Sequence, residues 1–271
     1  MANNTGMEIK MPENESFKNL VGSLNDVNRV IAIMSGKGGV GKSTVTALIA
    51  STLVKSGFKV GILDADITGP SQPRAFGLKN INLTGTDFGI TPAVTRSGIK
   101  MMSTNFLLKE EDDPVIWRGP LLAGAVKQFW EEVDWQDLDY LVVDLPPGTG
   151  DVPLTVLQTL PVSGLVIVSS PQDLAYMVVQ KAVKMANKIN TPILGLIENM
   201  SELICPQCHE HLKIFGESQG EALAAKMNIE LLGGLPWDVR LNQLVDEGQV
   251  EAYYSAEMAA IVEKIIAKTE K

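Results

Sequence analysis

The sequence predicts an α/β protein: a doubly wound, mainly parallel sheet with helices on both faces. Apolar, β-branched runs alternate with segments of helical spacing from Val30 onwards. Continuous apolar strands separated by helices are typical of a parallel sheet that is covered on both sides. A glycine-rich loop joins the first apolar run to the first helical segment, and a helix N-terminus in this position favours anions. Since such folds bind ligands beyond the carboxyl ends of their strands, we expect the functional residues there.

The elements are predicted in order from these patterns. Residues 29–34 form a short apolar run that suits a buried strand, and residues 44–56 carry Ala, Leu and Val at helical spacing up to Gly57. Later apolar runs predict strands over residues 59–63, 140–145, 165–169, 193–197 and 230–235. Helical spacing predicts helices over residues 119–130, about 174–189 and about 217–227, followed by closing helices. The Gly/Thr-rich segment 77–115 predicts a hairpin and an ordered loop.

Residues 36–43 fit the phosphate-binding pattern G-x-x-x-x-G-K-[ST]. Glycines let backbone N–H groups approach phosphates closely, the lysine neutralises the β- and γ-phosphates, and the serine hydroxyl ligates Mg²⁺. The loop also contains Lys37, a second lysine that the pattern does not require. We therefore expect ATP and Mg²⁺ to bind here, at the following residues: Gly36, Gly38, Gly39, Val40, Gly41, Lys42, Ser43 and Thr44.

Two further predicted strands end in aspartates. The second strand leads into Asp64, followed by Asp66, and a pair of carboxylates beside a phosphate loop suits Mg²⁺ and the attacking water. The apolar strand YLVVDL contains Asp144 near its end, which is the Walker B arrangement that holds Mg²⁺ directly or through water. In the segment that follows, the N–H of Gly148 is a candidate sensor of the γ-phosphate, as in nucleotide-dependent switch loops.

Two residues at other strand ends are weaker candidates for nucleotide contacts. Asn199 follows a predicted strand, and an asparagine amide offers a purine both a donor and an acceptor. Pro236 lies in a Pro-Trp-Asp segment at the end of the last predicted strand. Neither position is informative alone, because both residue types are common in turns.

Composition narrows the function classes. The chain has 271 residues, of which 45% are apolar and 20% charged, as in a globular protein with a substantial core. With no linker or repeat, we expect a tail or short helix over residues 1–28 and a single P-loop domain over residues 29–271.

The net charge of −9 argues against a broad nucleic-acid surface. No apolar run approaches the roughly 18 residues that span a bilayer, and the N-terminus does not resemble a signal peptide. We therefore expect a cytoplasmic protein that binds neither nucleic acid nor membrane.

Both cysteines of the chain, Cys205 and Cys208, stand in one Cys-Pro-Gln-Cys unit within the segment 201–211. Their spacing is typical of metal ligands, but a tetrahedral zinc site or an iron–sulfur cluster needs four ligands. Three interpretations stay open: a cluster shared by two subunits, a zinc site completed by His209, His211 or both, and a redox dithiol. An inert pair is the remaining alternative, and spacing alone does not separate the metals.

These residues together resemble the Mrp or ApbC (Nbp-like) family of iron–sulfur carriers, within the MinD/ParA/nitrogenase-iron-protein class of P-loop NTPases (SIMIBI type). The class is identified by Lys37, the extra lysine of a deviant Walker A loop, and the family by DLPPGTGD together with CPxC. The resemblance runs from about residue 30 to 240. Its matching segments are GKGGVGKST (36–44), DADITGPSQP (64–73), WRGP (117–120), DLPPGTGD (144–151), SSPQD (169–173), ENMS (198–201) and CPQC (205–208).

The resemblance implies a slow, switch-type ATPase that forms a homodimer, holds a [4Fe–4S] cluster between two CPxC loops and passes it to apo-proteins. It assigns Lys37 to charge on the nucleotide, with action across the dimer as one option, and Asp66 to the attacking water. Lys42 and Ser43 would bind phosphate and Mg²⁺. Asp64 and Asp144 would support Mg²⁺ and its waters, Asn199 would contact adenine, and Cys205 and Cys208 would ligate the cluster.

Two other functions are compatible with these motifs. A MinD/ParA-type positioning ATPase would have the same phosphate loop, together with a basic amphipathic C-terminal helix or a basic DNA face. Residues 255–271 instead mix acidic and basic side chains with alanines, which favours a helix packed on the domain. The other alternative is a nucleotide-dependent regulator whose CPQC loop binds structural zinc.

Overall fold

The computed structural model describes most of the chain from residue 25 onwards. The described residues are 25–66, 71–79, 81, 83–86, 89–107, 119–171, 175–205, 207–208 and 210–270. The predicted N-terminal tail over residues 1–28 therefore lies almost entirely outside them. Residues 26–28, which the prediction assigns to the tail, belong instead to the first strand, which begins at Asp26.

The core of the fold is a nine-stranded sheet in the order β10-β9-β8-β1-β7-β2-β6-β5, with β11 also paired to β9. The pairs are parallel except β5–β6 and β9–β10, and a separate antiparallel hairpin pairs β3 with β4. The strands are β1 Asp26–Ser35, β2 Val60–Asp64, β3 Gly85–Thr86, β4 Gly89–Ile90, β5 Ala93–Val94, β6 Lys100–Ser103, β7 Asp137–Asp144, β8 Val162–Ser169, β9 Ile193–Ile204, β10 His211–Leu212 and β11 Leu231–Trp237.

Helices cover both faces of this sheet, as the sequence predicts. They are α1 Lys42–Lys55, α2 Gln72–Ala75, α3 Gly119–Glu132, α4 Asp151–Thr159, α5 Ala175–Lys188, α6 Gly220–Met227, α7 Val239–Asp246 and α8 Ala256–Thr269, with short 3₁₀ turns at Thr104–Leu107 and Val250–Ala252. One apolar core joins the sheet to α1, α2, α7 and α8, and the other joins it to α3, α4, α5 and α6. The doubly wound, mainly parallel α/β fold is confirmed.

The first strand explains how a continuous apolar run serves two cores. Because side chains alternate along a strand, Ile31 and Ile33 enter one core while Ala32 and Met34 enter the other. All four side chains are fully buried. A strand that is buried on both faces therefore shows a continuous apolar run without alternating polar residues. This continuous run is the pattern from which the sequence predicts the strand.

The C-terminal helix α8 packs on the domain as predicted. Met258, Ile261, Val262 and Ile265 are all buried in the core that also contains α1. Across the described segments, no helix combines the length and apolar character needed to cross a bilayer.

Two elements differ from the sequence prediction because of tertiary contacts. Strand β9 continues to Ile204, well beyond the predicted end at residue 197, since its second half pairs with β11 and β10. Helix α6 begins at Gly220 rather than near residue 217, and the two residues before it are bound to the sheet. The buried Glu198 carboxylate accepts hydrogen bonds from Ser218 Oγ (2.5 Å) and from the backbone N of Gln219 (2.8 Å).

Candidate nucleotide site and cysteine hairpin

The phosphate loop joins β1 to α1, and its glycines meet different local demands. Gly39 and Gly41 have left-handed φ angles of 81° and 79°, which an L side chain adopts only with strain. Gly36 is required for space, since a Cβ there would lie 1.4 Å from Val178 Cγ1 on α5. Gly38 faces open space with respect to the described residues, because a Cβ at this position would have none of their atoms within 4 Å. The middle of this loop, at Gly38, therefore has open backbone, whereas Gly36 at its start is tightly packed.

Lys42 is buried at the start of α1 and faces the predicted carboxylates. Its Nζ lies 2.5 Å from Asp144 Oδ1 and 3.4 Å from Asp66 Oδ2, and it donates to Ser43 Oγ at 3.2 Å. The side chain of Asp144 is fully buried. The structure thus brings the lysine of the loop and two predicted metal or switch carboxylates into one buried group.

Asp144 is held by two further side chains that sequence reasoning missed. Thr46 Oγ1 donates to Asp144 Oδ1 at 3.0 Å, and Gln72 Nε2 donates to Asp144 Oδ2 at 2.9 Å. The same Gln72 amide nitrogen also donates to the carbonyl oxygen of Ser43 at 2.9 Å. A signal for Thr46 exists in the sequence, because a residue four positions after Lys42 lies on the same face of a helix. For Gln72, nothing in the sequence indicates which side chain it meets.

Asp64 lies beside Asp144, because β2 and β7 are in register at these two residues. Ser103 Oγ donates to Asp64 Oδ2 at 3.1 Å, and the backbone N of Asp66 donates to Asp64 Oδ1 at 3.2 Å. Burial raises the pKa of Asp64 well above its ordinary value, and the nearby charge of Asp144 raises it further. Asp66 and Asp144 together carry more negative charge than the Lys42 ammonium offsets, which favours a bound cation.

The loop after β7 returns to the phosphate loop. The backbone N of Gly148 donates to the carbonyl oxygen of Ser35 at 2.8 Å, and Gly148 itself has φ of 94°. Ser35 Oγ in turn donates to the carbonyl oxygen of Lys37 at 3.0 Å. Gly148 and Lys37, both predicted to act on the nucleotide phosphates, are therefore connected through Ser35.

Asn199 contacts the phosphate loop directly. Its Nδ2 donates to the carbonyl oxygen of Val40 at 2.9 Å and would lie 2.2 Å from a Cβ on Gly41. Pro236 lies near the C-terminal end of β11, before Asp238, whose carboxylate caps α7. Adenine contacts at Asn199 and Pro236 stay predictions, and Asn199 has in addition a structural role that the sequence did not indicate.

The donor set fits Mg²⁺ bound together with nucleotide phosphates. Magnesium keeps several waters and takes only one or two protein ligands beside phosphate oxygens, so it needs no all-protein cage. Accordingly, no three His, Cys, Asp or Glu side chains within the described ranges group closely enough to hold a metal alone. The hydroxyl of Ser43 and the carboxylates of Asp64 and Asp144 are hard oxygen ligands, and the buried Gln72 Oε1 has no hydrogen-bond partner among the described residues.

The two cysteines lie at the tip of a hairpin formed by β9 and β10. His211 pairs with Ile204, and the backbone N of Cys205 donates to the carbonyl oxygen of Glu210 at 2.9 Å, so the loop between them is closed. Cys205 is partly exposed and Cys208 is exposed, and the two thiols are free. Hydrogen bonds from the backbone of Cys208 and Gln207, and from the Cys208 side chain, lower the pKa of the Cys205 thiol. This loop favours the thiolate form, which is the form that ligates metals.

Of the two histidines considered as zinc ligands, the structure describes one. His209 lies outside the described residues. His211 Nδ1 lies 3.0 Å from Glu202 Oε1 on the neighbouring strand β9. A zinc ligand at either position stays a prediction.

The fold and the phosphate loop define this chain as a P-loop NTPase. The family model described as ParA, "NUBPL iron-transfer P-loop NTPase", matches residues 26–270. The chain belongs to that family, which confirms the resemblance inferred from its motifs.

Relatives and solved structures agree with this assignment. An "Iron-sulfur cluster carrier protein" of Methanocaldococcus jannaschii is 44% identical over 253 residues, covering 92% of this chain and 87% of the relative. The "Cytosolic Fe-S cluster assembly factor CFD1" of Kluyveromyces lactis is 42% identical, covering 90% and 91%. A nucleotide-binding protein of Archaeoglobus fulgidus, solved with ADP, is 46% identical with a TM-score of 0.79, covering 89% of this chain and 95% of that one. The cell division ATPase MinD of Pyrococcus furiosus, at 21% identity and a TM-score of 0.65, covers 89% and 99% and shares the fold.

Proposed function

We propose that this chain is an ATP-dependent iron–sulfur cluster carrier. In this proposal a homodimer holds a [4Fe–4S] cluster between two CPQC hairpins and delivers it to apo-proteins. The observation that carries the proposal is the placement of Cys205 and Cys208 together at an exposed hairpin tip. The names of the relatives, an iron–sulfur cluster carrier and a cytosolic iron–sulfur assembly factor, support it.

The number of thiols argues for two subunits. A [4Fe–4S] cluster takes four cysteine ligands, and this chain contains only Cys205 and Cys208. Two chains related by a twofold axis supply two thiolates each, since the same surface meets itself in such a dimer. An exposed hairpin tip also suits transfer, because an acceptor protein can approach the cargo there.

The nucleotide site is connected to the hairpin through one strand. Strand β9 carries Asn199, which binds the carbonyl oxygen of Val40 in the phosphate loop, and the same strand ends directly before Cys205. A shift of the phosphate loop on ATP binding or hydrolysis therefore reaches the cysteines through a continuous, hydrogen-bonded element. This supports the use of hydrolysis as a slow conformational switch.

The residues of the site have separate proposed roles. Lys42 and Ser43 bind the phosphates and Mg²⁺, with Asp64 and Asp144 supporting the ion and its waters. Bound Mg²⁺ would neutralise charge on the β- and γ-phosphates. Asp66, whose carboxylate lies 3.4 Å from Lys42 Nζ, orients the attacking water. Lys37 stabilises charge on the nucleotide of the partner subunit.

Anaerobic reconstitution with iron and sulfide tests the cluster. The proposal expects about four irons per dimer, loss of the cluster in Cys205→Ala and Cys208→Ala, and transfer to an apo-ferredoxin. Gln207→Ala is the matched control, because it changes the same loop and leaves both thiols in place. Retention and transfer of a cluster by Cys205→Ala would overturn the proposal. Stoichiometric zinc in protein purified without oxygen would favour the structural-zinc alternative instead.

Mixed dimers test the role of Lys37 across the interface. Lys37→Ala and Asp66→Ala are each expected to keep the fold and lose most ATPase activity. If Lys37 acts on the partner's nucleotide, a mixed dimer of the two variants contains one complete site and regains activity. If Lys37 acts within its own subunit, neither site of the mixed dimer is complete and no activity returns, which contradicts the proposal.

A further inference from the structure

Gln72 is a fully buried glutamine in the nucleotide site. The nitrogen and the oxygen of its side-chain amide differ in their hydrogen bonding. Its amide nitrogen donates to Asp144 Oδ2 and to the carbonyl oxygen of Ser43, both at 2.9 Å. Its amide oxygen, Oε1, has no hydrogen-bond partner within the ranges that the structure describes, although it is buried. The nitrogen is thus fully used, and the oxygen is an acceptor without a donor.

A buried acceptor without a donor costs about 1–3 kcal/mol. Reversing the amide does not remove this cost, because both partners of the nitrogen are oxygens that only accept. The orientation of Gln72 is therefore determined by Asp144 and Ser43. Its Oε1 is left for a donor that the described part of the chain does not supply.

Other acceptors and hydroxyls without partners lie at the same edge of the sheet. Within the described residues, the buried side-chain atoms lacking a partner include Ser71 Oγ, Thr104 Oγ1 and Asn105 Oδ1 besides Gln72 Oε1. These residues follow β2 and β6, which are parallel neighbours, so their carboxyl ends lie side by side. Such a concentration is expected where bound water or a ligand completes the hydrogen bonds.

We propose that Gln72 Oε1 accepts a hydrogen bond from a water molecule bound to the Mg²⁺ of the nucleotide complex. The inference rests on the proposed nucleotide and magnesium site. A water on Mg²⁺ is a strong donor, and the residues that Gln72 holds, Asp144 and Ser43, are those proposed to support the ion. Gln72 is then a positioning residue for magnesium: its nitrogen orients Asp144 and its oxygen orients the water.

The experiment measures ADP affinity by calorimetry with Mg²⁺ and with EDTA. Residues that orient metal ligands typically contribute about 10–100-fold to metal affinity. In Gln72→Leu, the tightening of ADP binding by Mg²⁺ should therefore fall about tenfold. Affinity in EDTA should fall by less than this, since without the metal Gln72 acts on the phosphate loop only through its bond to the carbonyl oxygen of Ser43. Gln243→Leu, an exposed glutamine on α7, is the matched control and should behave as wild type.

A second variant separates the acceptor from the donor. Gln72→Glu keeps an oxygen toward the metal water and removes the amide that binds Asp144. It should therefore retain part of the Mg²⁺ effect and be less stable without Mg²⁺. Loss of the effect in Gln72→Glu as complete as in Gln72→Leu would show that only the bond to Asp144 matters and would overturn the proposal. Full retention in Gln72→Leu would overturn it as well. If Mg²⁺ does not change the ADP affinity of the wild-type protein, the result contradicts the proposed nucleotide and magnesium site itself. It is then distinct from a failure of the role assigned to Gln72.

Discussion

The glycines of the phosphate loop predict a graded series of stabilities when each is replaced by alanine. The series depends on two properties: the φ angle of the glycine and the atoms that a new Cβ would meet. At Gly38 an added Cβ would have no atom of the described residues within 4 Å, and the φ angle is not left-handed. Gly38→Ala should therefore be within about 1 kcal/mol of wild type. Gly39 also faces open space but has φ of 81°, so Gly39→Ala should lose about 1–2 kcal/mol from backbone strain alone.

Gly41→Ala should be worse than Gly39→Ala, because strain and crowding coincide. Its φ of 79° carries the same strain, and the new Cβ would lie 2.2 Å from Asn199 Nδ2. The amide must move and give up its hydrogen bond to Val40, which contributes about 1 kcal/mol. The total is about 2–3 kcal/mol.

Gly36→Ala isolates crowding from strain. The added Cβ would meet Val178 Cγ1 at 1.4 Å and Val178 Cβ at 2.8 Å, so a rotation of the valine side chain does not remove the clash. Overpacking of this kind costs about 1–3 kcal/mol or more. Combining Gly36→Ala with Val178→Ala removes the closest atom, so the double variant should recover at least about 1 kcal/mol relative to additivity.

The assay is urea unfolding without nucleotide, followed by circular dichroism and analysed for the free energy of unfolding. The loss of unfolding free energy should be smallest in Gly38→Ala and larger in Gly39→Ala. It should be largest in Gly41→Ala and Gly36→Ala. A Gly36→Ala protein as stable as Gly38→Ala would refute the packing argument. An additive double variant with Val178→Ala would refute the assignment of the clash to that side chain.

Two further predictions concern charge and helix capping. Lys42→Ala leaves the buried Asp144 carboxylate without its ion pair and should lose about 3–5 kcal/mol. Urea unfolding of the variant checks this, and a stability equal to that of wild type would contradict it. Ser255→Ala removes the side-chain cap of α8 and should lose about 1 kcal/mol. The Ser255 hydroxyl also lowers the pKa of Glu257, a stabilising effect that is present at neutral pH and lost as the carboxyl protonates, so the loss in Ser255→Ala should be smaller in acid than at pH 7. Unfolding at both pH values measures the difference, and a larger loss in acid would oppose the assignment.

Much of the fold was predictable because its signals are local. The apolar run of β1, the helical spacing of α1 and the glycines between them each depend on residues close in the chain. The hairpin of β3 and β4 likewise lies within the predicted Gly/Thr-rich segment. The predicted start of α6 near residue 217 is too early, since the helix begins at Gly220. Ser218 and Gln219 instead bind the buried Glu198, a distant contact that no local pattern indicates.

The sequence by itself determined the class of protein, the phosphate loop and the pairing of Cys205 with Cys208 in one short unit. Only the tertiary structure decided which side chains surround Lys42 and which residue holds Asp144. Lys42 and Asp144 are 102 residues apart and Gln72 and Asp144 are 72 apart, so no local pattern encodes these contacts. They exist because β7 pairs in parallel with both β1 and β2. Neighbouring parallel strands bring their carboxyl ends, and the polar residues that follow them, to the same edge of the sheet.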